Sequence, residues 1–247
     1  MNAGLALFAV ALVGAALGEA MGQGLKKNLS LLLAFGGAFL LGLCFLHLLP
    51  EAFAANAHAG FWVIGGFLVQ IGLEYLSKGM EHGHVHGNRF GLVAFLSLCL
   101  HAFIESMPFG LEEAGEWAHD HGHHHGHDHG HHHHAGGGWA LLLGIGLHKL
   151  PVAMALMTIL QATVTQRSRR WAWVLVFALT PLAGIALAGS LPQDSHTFGA
   201  LNGLLVGILL HIATTILFET ADGHEFNGKK FLTVLMGLAL SLLTTHL

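Results

Sequence analysis

The sequence predicts an all-α polytopic membrane protein with eight transmembrane helices, and two observations carry that prediction. Only 10% of the 247 residues are charged and 53% are hydrophobic, with a mean hydropathy of +0.62, whereas a soluble domain averages about 25% charged residues. The apolar residues also gather into runs of about the twenty residues that cross a hydrocarbon core. These runs, numbered here as spans one to eight, cover residues 3–20, 29–49, 59–77, 90–108, 138–160, 171–191, 199–219 and 230–246.

Span one lacks the features of a signal peptide. No basic region precedes it and no small-residue cleavage pattern follows it, so we expect an uncleaved first helix. The whole of residues 1–247 is then one transmembrane domain. Cys44 and Cys99 both fall inside apolar runs, which is typical of small buried hydrophobic residues and not of a disulfide.

Glycine is frequent, and two pairs have the spacing of helix contacts in membranes. Gly14 and Gly18 lie in span one, and Gly203 and Gly207 lie in span seven. Small residues four apart let two helix backbones approach closely. Ordinary tolerance of glycine in membrane helices explains each pair equally well.

The basic residues predict the orientation of the chain. All but one of the ten Lys and Arg residues lie in alternate loops, and the remaining loops contain none. By the positive-inside rule the basic loops face the cytoplasm, so both termini lie outside. The loop residues are Lys26, Lys27, Lys78, Arg89, Arg167, Arg169, Arg170, Lys229 and Lys230.

A histidine-rich segment lies between spans four and five. Residues 119–134 contain eleven of the 22 histidines, interspersed with Asp and Gly. Such tracts bind soft and borderline metals and cannot form a packed core. We therefore expect a His-rich extracytoplasmic loop at 109–137 that gathers cations outside the membrane. A shorter run with three histidines, 82–86, falls in the cytoplasmic loop after span three.

Three ionisable side chains in the middle of spans four and five predict a metal site. His101 and Glu105 are four residues apart, so a helix places them on one face, and His148 lies at a similar depth in span five. Ionisable groups at membrane depth are costly and usually functional. Two imidazoles and a carboxylate suit zinc and other first-row divalent metals. For any single histidine, a hydrogen-bonded structural role is the alternative.

Lys149, directly after His148, is the one basic residue inside a span. An ammonium at a helix centre costs about 2.5–3.5 kcal/mol on insertion scales, so it needs an anionic partner or access to water. Glu105 is the only carboxylate at that depth. We expect the two to pair, and an incoming dication to compete with Lys149 for Glu105. The alternative is that Lys149 extends into a water-filled cavity.

Two further pairs are weaker candidates for an accessory metal or pathway site. His47 and Glu51 are four residues apart at the outer end of span two, where they suit an entrance site or a simple helix end. His211 and Glu219 lie in span seven, two turns apart, which is too far to share one ion directly. Glu219 is near the cytoplasmic end and suits an exit site.

These motifs together resemble the ZIP (Zrt/Irt-like protein) family of divalent metal transporters. The shared features are eight spans with both ends outside, His101-x-x-x-Glu105 in span four and His148-x-x-Pro151 in span five; residues 47–52 are similar to the end of that family's second helix. The resemblance implies a homodimer that takes zinc, iron, manganese or similar ions into the cytoplasm. It also implies that helices one, four, five and six carry the metal past a scaffold of the others. His101, Glu105 and His148 match the family's main transport site.

The chain departs from the family pattern at four positions. Ala102 and Lys149 stand where many members have ligands of a second, adjoining site; Val152 replaces a further ligand of helix five, and Thr180 replaces an acid of helix six. The comparison implies a single-metal site with Lys149 in the space of the missing ion. The candidates for a fourth ligand are water, Cys44 and His47.

The sequence thus predicts an importer of divalent metal ions, with zinc as the first candidate substrate and iron, manganese or cadmium as others. It would work by alternating access in the cell membrane, or in the inner membrane of a Gram-negative cell. No phosphate-binding loop precedes a helix, so we expect no use of ATP; nor do we expect enzymatic activity or a nucleic-acid partner. The alternatives are a membrane metalloenzyme, a hydrolase that uses the same His/Glu site, and a metal sensor or storage protein that uses the tract at 119–134.

Overall fold

The computed structural model describes residues 3–21, 26–77, 91–120, 136–219 and 228–244, and for residues 26–28, 112–120, 136, 137 and 219 it describes the backbone alone. Within these ranges the chain is helical and contains no strand, so the all-α prediction is confirmed. The helices are α1 Ala3–Met21, α2 Lys26–Leu43, α3 Leu49–Ala55, α4 Ala59–Ser77, α5 Leu92–Asp120, α6 Gly136–Thr163, α7 Arg167–Ala188, α8 Ser195–Glu219 and α9 Gly228–Thr244.

Seven segments of the described chain are long and apolar enough to cross a membrane, which makes this a membrane protein. One of them, Leu29–Ala55, joins α2 to α3 through a π-helical segment, Cys44–Leu48. The eighth run forms α9, whose 17 residues extend about 25 Å at 1.5 Å per residue. That length falls just short of the ~30 Å hydrocarbon core.

Helical backbone extends into the predicted loop at 109–137 from both of its ends. Helix α5 passes through Pro108 and continues to Asp120, and α6 begins at Gly136. The apolar run shows where the membrane span ends, but the polar residues that follow are mostly good helix formers and prolong the helix. Most of the His-rich tract, 121–134, lies outside the described residues, as does the shorter run at 82–86.

The helices pack in two groups. In the first group α1 packs on α6 and α7, and α5 packs on α7. In the second, α4 and α3 pack on α8, and α2 packs on α8 and α9. The boundary between the groups is formed mainly by α2 against α6 and by α4 against α5. Spans one, four, five and six therefore form one unit, and spans two, three, seven and eight the other.

Each glycine pair identified in the sequence lies at a close contact between two helices of the same group. A Cβ atom on Gly14 would lie 2.5 Å from the carbonyl oxygen of Leu150, and one on Gly18 would lie 2.7 Å from that of Met154. Contacts this short leave no space for a side chain, so α1 and α6 meet backbone to backbone. The pair in α8 packs on α4 in the same way: Gly203 and Gly207.

We predict that Gly14→Val lowers the melting temperature of the purified protein by several degrees. The added methyl groups force α1 away from α6, and overpacking of this kind costs about 1–3 kcal/mol. Gly72→Val is the matched control, because a Cβ on Gly72 in α4 would meet no atom within 4 Å. Thermal unfolding in detergent, followed by circular dichroism, measures both. Equal melting temperatures for the two variants would contradict close packing at Gly14.

The C-terminal ends of α1 and α6 lie at the same end of the bundle as the start of α7. Near the end of α1, Glu19 accepts hydrogen bonds from Arg167 Nη2 at 2.9 Å and from Trp171 Nε1 at 3.0 Å, both on α7. Gln161 near the end of α6 donates to the backbone carbonyl of Glu19 at 3.1 Å. This agrees with the alternation of basic loops. The assignment of this end to the cytoplasm, with both termini outside, stays a prediction.

Candidate metal centre

Helices α5 and α6 bring the three predicted ligands together. The spacing of four residues stacks His101 and Glu105 on one face of α5, with Nε2 of His101 3.1 Å from Oε2 of Glu105. The ring of His148 on α6 meets the ring of His101 nearly edge to face, with 6.0 Å between centroids. One ligand atom from each residue lies within 4.8 Å of the other two. The expected convergence is confirmed.

The site is buried, with 1–2% of each of the three residues exposed. Buried apolar residues precede and follow these three residues along α5 and α6. Phe109, Leu141 and Ile145 belong to one hydrophobic cluster, and Leu98, Ala102 and Val152 belong to another. Electrostatic interactions between groups buried to this extent are much stronger than in solvent.

Lys149 is buried with the three ligands and pairs with Glu105. Its Nζ forms an ion pair with Oε1 of Glu105, and it lies 5.2 Å from the ring centroid of Phe177 on α7. Aromatic faces attract cations at this range. The pairing predicted from depth is confirmed. The alternative, that Lys149 extends into water, is wrong, since only 1% of the residue is exposed.

A fifth polar group, Gln70, reaches the site from the other helix group. Nδ1 of His101 is 3.1 Å from Oε1 of Gln70 on α4. One turn earlier on α5, Ser97 Oγ donates to the backbone carbonyl of Leu73 at 2.6 Å. Gln70 was not among the predicted site residues, although an amide with Glu74 four residues later, within an apolar run, was a usable signal.

The structure gives His211 a different neighbour from the one considered in the sequence. Nε2 of His211 contacts Oε2 of Glu74 on α4. The rings of His211 and Phe67 pack edge to face, with 4.9 Å between their centroids. The side chain of Glu219 lies outside the described residues. The His211 pair borders an open cavity of about 420 Å³, lined by Phe67, Glu74, His211, Thr214, Thr215 and Phe218.

The remaining candidates lie apart from the three central ligands. His47 is in the π-helical segment and Glu51 is in the first turn of α3, both half-buried. Cys44 and Cys99 are buried free thiols, as predicted. Among the described residues, the group with metal-binding spacing does not include Cys44 or His47.

The departure at Thr180 has a structural explanation. Pro181 lies within α7 and has no N–H to donate, so the carbonyl of Phe177 loses its helical partner. The hydroxyl of Thr180 donates to that carbonyl at 2.7 Å, and Ser106 on α5 donates to the carbonyl of Pro181 at 3.0 Å. The Thr180 hydroxyl thus serves the backbone of its own helix instead of a metal.

The donor set consists of two imidazole nitrogens and carboxylate oxygen. It fits a divalent metal such as zinc, bound by three protein ligands with one coordination position open to water. No protein-family model matches the chain, and no curated protein is significantly similar to it in sequence.

Proposed function

We propose that the protein is a transporter that imports divalent metal ions, zinc foremost, into the cytoplasm by alternating access. The observation that carries the proposal is the buried cluster of His101, Glu105 and His148 in the middle of two membrane-spanning helices. A structural zinc site is closed by four protein ligands, whereas three leave a position through which an ion is exchanged. We place the transporter in the cell membrane as a homodimer.

The packing of the helices supports a ZIP-like architecture. The family resemblance implies that spans one, four, five and six move against the others. Their helices α1, α5, α6 and α7 pack on one another more extensively than on the second group. The candidate metal ligands all lie on α5 and α6, within the first group. A rigid movement of that group would therefore carry the whole ligand set with it.

The Lys149 ion pair suggests how the site exchanges its cargo. Without cargo, Glu105 is neutralised by the Lys149 ammonium, which avoids a buried unpaired charge. A dication needs the same carboxylate as a ligand, so it has to displace the ammonium. When the ion leaves, the Glu105 carboxylate pairs with the Lys149 ammonium again. Lys149 thus acts as an internal substitute for the second ion that this single-metal site lacks.

Zinc flux into proteoliposomes tests the proposal. We expect the wild-type protein to accumulate radioactive zinc without any other substrate, and His101→Ala to reduce that flux by roughly tenfold or more, since even the loss of a residue behind a metal ligand costs 10–100-fold in affinity. His58→Ala, which alters an exposed histidine at the start of α4, is the control. Competition by unlabelled zinc, cadmium, iron and manganese ranks the substrates. Equal flux in wild type and His101→Ala would refute the proposal.

The same preparation separates the two alternative functions. A membrane hydrolase would not move zinc, and it would need a general acid or base besides its ligands, whereas Glu105 is both a candidate ligand and the partner of Lys149. A storage or sensor protein would depend on the histidines of 119–134. Deleting that segment should only lower the apparent zinc affinity of a transporter.

A further inference from the structure

His101 is tied to the second helix group through its other ring nitrogen. Nδ1 lies 3.1 Å from Oε1 of Gln70, and Gln70 on α4 is fully buried. Nε2, on the opposite side of the ring, is directed to Oε2 of Glu105 at 3.1 Å. The ring of His101 therefore lies between an amide oxygen and the carboxylate that shares its proposed metal.

We propose that Gln70 is a positioning residue for the metal site. A neutral imidazole carries one N–H, and the nitrogen without it provides the lone pair for a metal. With Gln70 Oε1 as acceptor, the proton resides on Nδ1 and the lone pair of Nε2 points towards Glu105 and the ion. Histidine ligands generally donate their second nitrogen to such an acceptor, which fixes both the tautomer and the ring orientation. The inference rests on the proposed function of the site.

A purely structural role for Gln70 makes the opposite prediction for two substitutions. If Gln70 only fills space between α4 and α5, leucine, of similar volume and apolar, should replace it well. A glutamate there would be the worse choice, because burying a carboxylate is costly. If Gln70 is the acceptor for Nδ1–H, the order reverses, since glutamate accepts the hydrogen bond and leucine does not.

The test is the equilibrium zinc affinity of the purified full-length protein, measured by competition with a chromophoric chelator. The signal of the central site is defined as the component that His101→Ala removes. We expect Gln70→Leu to weaken this component by about 10–100-fold, the usual effect of losing such an acceptor, and Gln70→Glu to retain it. The matched control is Ser97→Ala. It deletes the neighbouring hydrogen bond between α5 and α4 and should leave the affinity unchanged.

Each outcome bears on one of the two proposals. Wild-type affinity in Gln70→Leu, or a stronger loss in Gln70→Glu than in Gln70→Leu, would overturn the positioning role while the His101-dependent component remains. If His101→Ala removes no component, the proposed function itself fails. Size-exclusion chromatography verifies that each variant is folded. If Gln70→Leu is not, Gln70→Met, which keeps the length of the side chain, takes its place with the same expected loss.

Discussion

Glu105→Gln abolishes zinc flux and destabilises the protein, and replacing Lys149 as well restores the stability but not the flux. The single variant removes a candidate ligand and leaves the Lys149 ammonium buried without its partner. Breaking one side of a buried pair costs about 3–5 kcal/mol, whereas replacing both partners by apolar or neutral groups is often harmless. Thermal unfolding in detergent and zinc flux in proteoliposomes measure the two effects separately for Glu105→Gln and for Glu105→Gln/Lys149→Met.

Glu19→Gln provides the matched control. It removes the charge of a carboxylate that also pairs with a basic residue, Arg167, but the Arg167 side chain is 73% exposed, and ion pairs with exposed partners contribute little. Its melting temperature and flux should stay near the wild-type values. If Glu105→Gln were as stable as the double variant, Lys149 would not depend on Glu105. Transport by the double variant would exclude Glu105 as a ligand.

Lys149→Met increases the affinity for zinc and slows its release. The ammonium competes with the ion for Glu105, so its removal should lower the dissociation constant by roughly tenfold or more, which corresponds to about 1.4 kcal/mol. Because the bound ion then has no cation to replace it at Glu105, we expect the maximal rate of flux to fall. Chelator competition gives the affinity, and flux at saturating zinc gives the rate.

Lys149→Arg keeps the positive charge and should bind zinc much as the wild type does, although its planar group fits the space beside Phe177 differently. Unchanged zinc affinity and uptake in Lys149→Met would mean that the ammonium does not compete with the ion and has no part in transport. A weaker affinity in that variant would mean that Lys149 helps to organise the ligands instead of competing with the ion.

The central site was predictable because its geometry is mostly local. The spacing of four residues along one helix places His101 and Glu105 on the same face. The similar depth of His148 in the membrane places it at the same level on α6. Lys149 had one carboxylate within reach, so its partner followed by elimination. The role of Gln70 was not predictable in this way. It depends on which faces of α4 and α5 meet, and close contacts elsewhere in each helix group determine that arrangement.

The pairing of His211 with Glu74 and the length of α5 were missed for different reasons. His211 finds its partner on another helix, 137 residues away in the chain, and spacing within one span carries no information about that. The continuation of α5 beyond span four was not foreseen because the apolar run ends where the membrane does. The helix follows backbone propensity and continues to Asp120.

The Glu105–Lys149 pair also has an electrical consequence. The pair carries no net charge, so a carrier returning without cargo moves no charge across the bilayer. When a dication is bound and the Lys149 ammonium stays in the protein, the site has a net charge of two, and its movement carries two positive charges. Each elementary charge that crosses the membrane gains or loses about 2.3 kcal/mol per 100 mV. In the proposed transport cycle, an inside-negative voltage would therefore favour inward movement of the loaded site and leave the return of the empty site unaffected.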